Sequence, residues 1–178
     1  DALTGVVNRA TRSGRLTASC RPGCERRARQ MSLLFIDIDD FKDVNDKVGH
    51  GGGDALLVQL ATRLGACIRA QDLVARLGGD EFAIMVMEDD DGSSVAVQVA
   101  ERVLNALHEP FLIGGEFLVV TVSIGVAQRR PETGDAAELL RDADFAMYMA
   151  KGGGKACYEL FDAQMHDHML GRSDLKTN

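Results

Sequence analysis

Two groups of carboxylates are placed to do chemistry together. Asp37, Asp39 and Asp40 follow the apolar run Met31-Ser32-Leu33-Leu34-Phe35-Ile36, and Asp80-Glu81 follow the pair Gly78-Gly79. Carboxylates with few other protein ligands, completed by nucleotide phosphates, are the usual way Mg²⁺ is held. Two such sources on neighbouring strand ends would suit a two-metal nucleotidyl transfer. One ion would activate the attacking oxygen and the other would neutralise the leaving phosphate. Asp37 closes an otherwise apolar stretch, so it must be paired or ligate a metal, since burying a lone carboxylate is expensive. The plain alternative for Asp80 and Glu81 is a solvated hairpin tip. Adjacent strand residues point to opposite faces. These two can therefore share a site only if the turn breaks that alternation, or if each serves a different ligand.

The elements that must position these groups are legible from patterning. Leu73–Leu77 and Phe82–Met87 read as two strands joined by a tight Gly-Gly turn, because glycine accepts the positive φ such turns require. Met31–Asp37 reads as a central strand covered on both faces. Residues 4–18 are predicted weakly helical, 21–23 a loop and 25–30 a short helical continuation. Phe41–Val48 reads as a short helix, Gly49–Gly53 as a break, and Asp54 as the cap of the next helix, where Leu57, Leu60, Leu64 and Ile68 share a face. The acidic run Glu88–Gly92 reads as a solvated turn, and Val95–Leu107 as a helix with Val95, Val99, Val103 and Leu107 on one side. A second hairpin is expected between Phe111–Ile113 and Phe117–Ala127 around Gly114-Gly115, then a helix over Ala136–Ala150 and a short edge strand within Ala156–Leu160. The pattern predicts an α/β (α+β) fold, with helices on the faces of a mixed, mostly antiparallel sheet.

The chain has 178 residues, enough for one domain with a sizeable core, and no Trp. A net charge of −7 argues against a nucleic-acid polymer as partner, but not against a nucleotide neutralised by a metal and a few lysines. No apolar run is long enough to span a membrane, and no signal peptide is expected in the charged, polar opening stretch. A cytoplasmic piece of a longer protein is expected. Cys20, Cys24, Cys67 and Cys157 read as free thiols. Neither Gly51-Gly52-Gly53-Asp54 nor Lys151-Gly152-Gly153-Gly154-Lys155 is a P-loop. The first lacks Lys, and the second has no Ser or Thr after Lys155.

Five stretches together resemble the GGDEF family of diguanylate cyclases. Gly78-Gly79-Asp80-Glu81-Phe82 matches its signature. Asp1-Ala2-Leu3-Thr4-Gly5-Val6-Val7-Asn8-Arg9 is similar to its opening D-x-L-T-G-L-x-N-R, with Val6 for Leu. Asp37-Ile38-Asp39-Asp40-Phe41-Lys42 with Asn45-Asp46 resembles D-x-D-x-F-K-x-x-N-D. Gly49-His50-Gly51-Gly52-Gly53-Asp54 resembles G-H-x-x-G-D, and Thr121–Ala127 resembles T-x-S-I-G-V-A. The match runs over roughly residues 1–160, in order and at the right spacing, which defines the expected domain; residues 161–178 read as a connector.

The resemblance implies a palm-like fold, similar to nucleotide cyclases and polymerases. It implies condensation of two GTP into cyclic di-GMP with release of two pyrophosphates, across a homodimer of domains. Mg²⁺ (or Mn²⁺) would be held by Asp37, the Ile38 carbonyl, Asp80 and Glu81, and either Asp80 or Glu81 would assist deprotonation of the 3′-hydroxyl. Gly79 would let the nucleotide approach. Asn45 and Asp54 would read guanine, whose N1–H and N2–H₂ donors suit a carboxylate. Without the resemblance both residues would be taken for helix caps. Phe41, by its backbone, and Lys42, Lys151 and Lys155 would lie at the triphosphate.

The family's K-x-x-G-R-N reads Lys151-Gly152-Gly153-Gly154-Lys155-Ala156 here, which loses the forked guanidinium that grips phosphate in two places. Arg69-Ala70-Gln71-Asp72 matches the family's R-x-x-D product-inhibition site; the alternative is an exposed ion pair at a helix end. The segment Leu160–His166 is similar to the connector into an EAL phosphodiesterase domain, so attached EAL and N-terminal sensor domains are expected. Two rival readings follow: a catalytically weak GTP-binding domain that regulates an attached EAL phosphodiesterase, and a cyclic di-GMP receptor acting through Arg69 and Asp72 alone.

Overall fold

The computed structural model describes residues 1–8, 30–88, 94–129 and 136–162. In chain order the elements are β1 (Val7–Asn8), β2 (Met31–Ile38), α1 (Phe41–Ala66), β3 (Leu73–Gly78), β4 (Glu81–Met87), α2 (Val95–Ala106), β5 (Phe111–Ile113), β6 (Glu116–Leu118), β7 (Val122–Gln128), α3 (Ala136–Gly152) and β8 (Tyr158–Leu160). The main sheet has the order β1-β3-β4-β2-β7-β8. Its three inner pairings are antiparallel, and the two outer strands β1 and β8 add in parallel. This is the predicted mixed, mostly antiparallel sheet, with β8 on the expected edge.

Strand β2 lies at the centre and is buried at every position. Its alternation sorts the core into two layers. Leu34, Ile36 and Ile38 pack against Leu56, Leu57, Leu60 and Leu64 of α1 and Val95, Val99 and Val103 of α2. Met31, Leu33 and Phe35 pack against Leu139, Ala143 and Met147 of α3. Asp37 continues this second series, so its carboxylate lies on the α3 face. Helix α3 presses on β7 so closely that a Cβ on Gly125 would overlap the Ala143 carbonyl.

Several details differ from the sequence reading. Within the predicted 4–18 helix, residues 5–8 turn through Gly5 at φ 71° and enter β1, which pairs with β3; the rest of that segment, the 21–23 loop, residues 25–29, Cys20, Cys24 and residues 163–178 lie outside the described residues. The break in α1 is one residue, Gly49 at φ 74°, and Asp54 sits inside the resumed helix instead of capping it. The later glycines serve contact: a Cβ on Gly53 would overlap Asn45 Oδ1, and one on Gly52 would lie 2.5 Å from Val48 Cγ2. The hairpin turn uses Gly79 and Asp80, because Gly78 still pairs with Glu81 and a bulge falls between Arg76 and Gly78. The arm predicted over Phe117–Ala127 is split. Its first part, β6, pairs with β5 in a separate ribbon, while β7 has both edges taken by β2 and β8. Glu88 is not solvated. It is buried and accepts from Ser32 Oγ at 2.5 Å, Val95 N at 2.6 Å and Ala96 N at 3.3 Å, capping α2.

Candidate active site

Register brings the carboxylates together. Asp37 of β2 is the Cα partner of Glu81 of β4, and directly opposed residues share a face. Asp80 is outside the strand, in the turn, so the strand alternation that would separate it from Glu81 does not apply. Asp37 is 7% exposed, and burial pushes its carboxyl above the ordinary range; Lys151 opposes this and the charge of Asp80 adds to it. Glu81 is raised by burial, then by Asp37, Asp144 and Asp80.

Lys151, in the last turn of α3, places Nζ 2.5 Å from Asp37 Oδ1. Apart from this ammonium, that buried oxygen has no hydrogen-bond partner. Among the described residues no three His, Cys, Asp or Glu side chains form a ready metal cage. The donor set still fits Mg²⁺ or Mn²⁺: a buried carboxylate with an orphan oxygen, two neighbouring carboxylates and an adjacent backbone carbonyl at Ile38. That is the sparse all-oxygen set completed by phosphates and water.

The turn that carries Asp80 is held from behind. Arg76 donates from Nε and Nη2 to the Gly79 carbonyl, at 3.0 and 2.7 Å, and Nη1 lies 3.3 Å from Asp1 Oδ1. The same Asp1 oxygen accepts from Leu3 N, Thr4 N and Thr4 Oγ1. The opening motif is therefore a brace for the hairpin.

The loop after α3 is fixed by a carboxylate with a purely structural part here. Asp39 accepts from Thr121 Oγ1 and Ser123 Oγ, both at 2.7 Å, and from Ala156 N at 3.1 Å. Lys155 and Ala156 take positive φ, at 64° and 53°. Lys155 Nζ rests on both oxygens of Asp40, at 2.6 and 2.8 Å, and that contact raises its pKa. Asp40 thus makes no side-chain cap on α1.

Asn45 is half-buried against Gly53, the residue before exposed Asp54; Lys42 is exposed and Phe41 half-buried in the first turn of α1. Arg69 and Asp72 are not part of this constellation. Asp72 accepts from Arg69 N at 2.9 Å and Met87 N at 3.3 Å, and Met87 pairs with Met31 at the far end of β2, about 20 Å of strand from Asp37. Asp72 is buried, while Arg69, just after the end of α1, is exposed.

Sequence reading missed Arg76 and Asp144, and did not foresee the structural parts of Asp39 and Glu88. Only Asp144 carried a signal, since it stands seven residues before Lys151 and hence on the same helix face. The free thiols are seen at Cys67 and Cys157. No helix among the described residues is long and apolar enough to cross a membrane.

Comparison with known proteins gives the chain's relatives. A family model described as "Diguanylate cyclase, GGDEF domain" matches residues 1–157. Diguanylate cyclase TpbB of Pseudomonas aeruginosa is 39% identical over 168 residues, 94% of this chain and 38% of that protein. The solved GGDEF-only form of PA1120 (TpbB or YfiN) superposes with a TM-score of 0.87 at 36% identity, covering 96% of this chain and 98% of that one. MucR of Pseudomonas aeruginosa, a bifunctional diguanylate cyclase/cyclic di-GMP phosphodiesterase, is 37% identical over 93% of this chain and 24% of its own length. The GGDEF domain of DgcB from Caulobacter crescentus, solved with c-di-GMP, gives a TM-score of 0.81 at 29% identity over 92% of this chain and 93% of that one. The chain therefore spans less than two fifths of the length of the curated relatives named here.

Proposed function

From the premise that this chain belongs to the GGDEF family of diguanylate cyclase domains, we propose that it condenses two GTP into cyclic di-GMP and two pyrophosphates across a pair of identical domains. The observation that carries this is the opposition of Asp37 and Glu81, with Asp80 beside Glu81 in the turn between β3 and β4. When bound, Mg²⁺ or Mn²⁺ supplies charge neutralisation for the phosphates, and Asp37, the Ile38 carbonyl, Asp80 and Glu81 would hold it.

The remaining roles belong to the chain itself. The N-terminus of α1 at Phe41, left uncapped by Asp40, offers backbone N–H groups to an anion. Lys42, Lys151 and Lys155 supply positive charge to the triphosphate. Asn45 and Asp54 hold the guanine edge, and Gly79, with no side chain, leaves room for the nucleotide. Glu81, held above the ordinary carboxylate range, suits a proton acceptor for the 3′-hydroxyl. The 3′-oxygen of one GTP attacks the α-phosphorus of the other as pyrophosphate leaves, and the same step in the opposite sense closes the ring.

Product would bind separately at Arg69 and Asp72. Asp72 spends one lone pair of each oxygen on a backbone N–H and keeps others for guanine donors. The domain is taken to span residues 1–160 and to act in the cytoplasm, with residues 161–178 leading toward an EAL domain and a sensor domain lying N-terminal. One observation favours the second reading, a weakly catalytic GTP-binding regulator of an EAL phosphodiesterase. Lys155 stands where the family carries Arg, and its charge is already engaged by Asp40.

The test fuses the chain to a dimerising coiled coil and incubates it with GTP and Mg²⁺ or Mn²⁺. Cyclic di-GMP should appear by liquid chromatography and should be absent in Asp80→Ala. GTP binding without product in the dimerised form would refute the cyclase reading and favour the regulator. Unchanged cyclic di-GMP affinity in Arg69→Ala would remove the product site.

A further inference from the structure

The ammonium of Lys151 occupies a buried acceptor suited to a metal ion. It stands 2.5 Å from Asp37 Oδ1, an oxygen with no other donor. A divalent cation and an ammonium cannot both sit on that oxygen, because their mutual repulsion in a partly buried site is large. We propose that Lys151 couples metal entry to nucleotide binding: it competes with the metal for Asp37 until a triphosphate draws it away. This rests on the GTP-site reading above.

Three further features support it. The side chain of Lys151 is 33% exposed, so it can swing toward incoming phosphate without breaking the core. Its backbone is fixed. Gly153 N bonds Met149 O at 2.8 Å, Lys155 N bonds Ala150 O at 3.1 Å, and Ala156 N is tied to Asp39. Exchange of partners is therefore a rotation of one side chain. Finally, among the described residues no three His, Cys, Asp or Glu side chains are grouped as a preformed cage, and Lys151 is the cation placed on Asp37. Lys155 is a separate cation, paired with both Asp40 oxygens and not with Asp37. In the absence of nucleotide, a metal must expel Lys151 into water. In its presence, the phosphates receive the ammonium, and metal and nucleotide reinforce each other reciprocally.

The experiment titrates the full chain with Mn²⁺, followed by electron paramagnetic resonance, with and without a non-hydrolysable GTP analogue. Wild type should bind Mn²⁺ roughly tenfold more tightly with the analogue. Lys151→Met should bind Mn²⁺ roughly tenfold more tightly than wild type when no nucleotide is present, and should gain less from the analogue. Lys151→Gln repeats the measurement should the Met variant not fold. Lys151→Arg, which keeps the pair, should behave as wild type. Unchanged nucleotide-free affinity in a folded Lys151→Met or Lys151→Gln overturns the proposal, and so does an equal gain in Lys155→Met, which would reduce the effect to loss of a nearby positive charge. Either result leaves the cyclase reading standing, because product formation by wild type is scored separately. Absence of Mn²⁺ binding even with the analogue, together with absence of product, overturns both.

Discussion

The Arg76 guanidinium closes on the Gly79 carbonyl with two hydrogen bonds, from Nε at 3.0 Å and Nη2 at 2.7 Å. Its third nitrogen reaches Asp1, 75 residues away in sequence. The turn bearing Asp80 is thus held by the strand that leads into it and by the opening motif of the domain.

Removing that brace should cost function more than stability. Arg76→Ala loses three charge-assisted bonds at a partly solvated position, about 1–2 kcal/mol. The misplaced turn should lower cyclic di-GMP formation by roughly 10–100-fold. Product assays beside a thermal melt check this; a lowered melting temperature with full activity would contradict it.

Stability and metal binding should respond to pH in opposite senses. Burial raises Asp37, with Lys151 opposing and Asp80 adding, and burial also raises Glu81, with Asp37, Asp144 and Asp80 adding. Their folded pKa values exceed the unfolded ones of about 4. The folded state then holds more protons in that window, so this contribution to stability is full below the unfolded pKa and is lost as pH rises through the folded one. Metal binding needs the ionised forms and should fall as pH drops through the same window. Asp37→Asn should flatten the stability slope and abolish activity. Denaturant melts and Mn²⁺ titrations across a pH series test both trends.

Two glycines should respond differently to alanine. At Gly53 the new Cβ meets the end of the Asn45 side chain, which can move. Gly53→Ala should fold but bind GTP roughly tenfold more weakly, as the guanine contact proposed for Asn45 is displaced. At Gly125 the new Cβ meets the α3 backbone at Ala143 and Met147, which cannot move alone. Gly125→Ala should cost about 3 kcal/mol or more, or prevent folding. Calorimetric GTP binding and urea unfolding separate the two outcomes.

Glu88 should prove structural. It serves Ser32 Oγ and two N–H groups at the start of α2, where the helix dipole also favours a negative charge. Glu88→Ala leaves these buried donors unmatched and should cost about 2–3 kcal/mol, with the rate per folded molecule unchanged. Urea unfolding with activity normalised to folded protein checks it.

Local pattern was enough for most elements. The apolar run Met31–Ile36 dictated a central strand because only a strand covered on both faces buries every residue of such a run. The period of Leu57, Leu60 and Leu64 dictated α1, and Val95, Val99 and Val103 dictated α2. Gly49–Gly53 misled because glycine serves either a turn or a close contact, and only the packing of Gly53 on Asn45 distinguishes them. Glu88 misled because its neighbours in sequence are acidic while its partners are Ser32 and Val95.

The sequence by itself determined the carboxylate set, the hairpin that carries Asp80 and Glu81, and the family. These rest on residue types and on spacings within single elements. Only the tertiary structure decided that Glu81 stands opposite Asp37, that Lys151 rests on that same Asp37, and that Arg76 and Asp1 hold the turn. Each joins residues tens of positions apart through strand register or a side chain's reach. Register follows from the burial of whole faces of the sheet, which no local pattern contains.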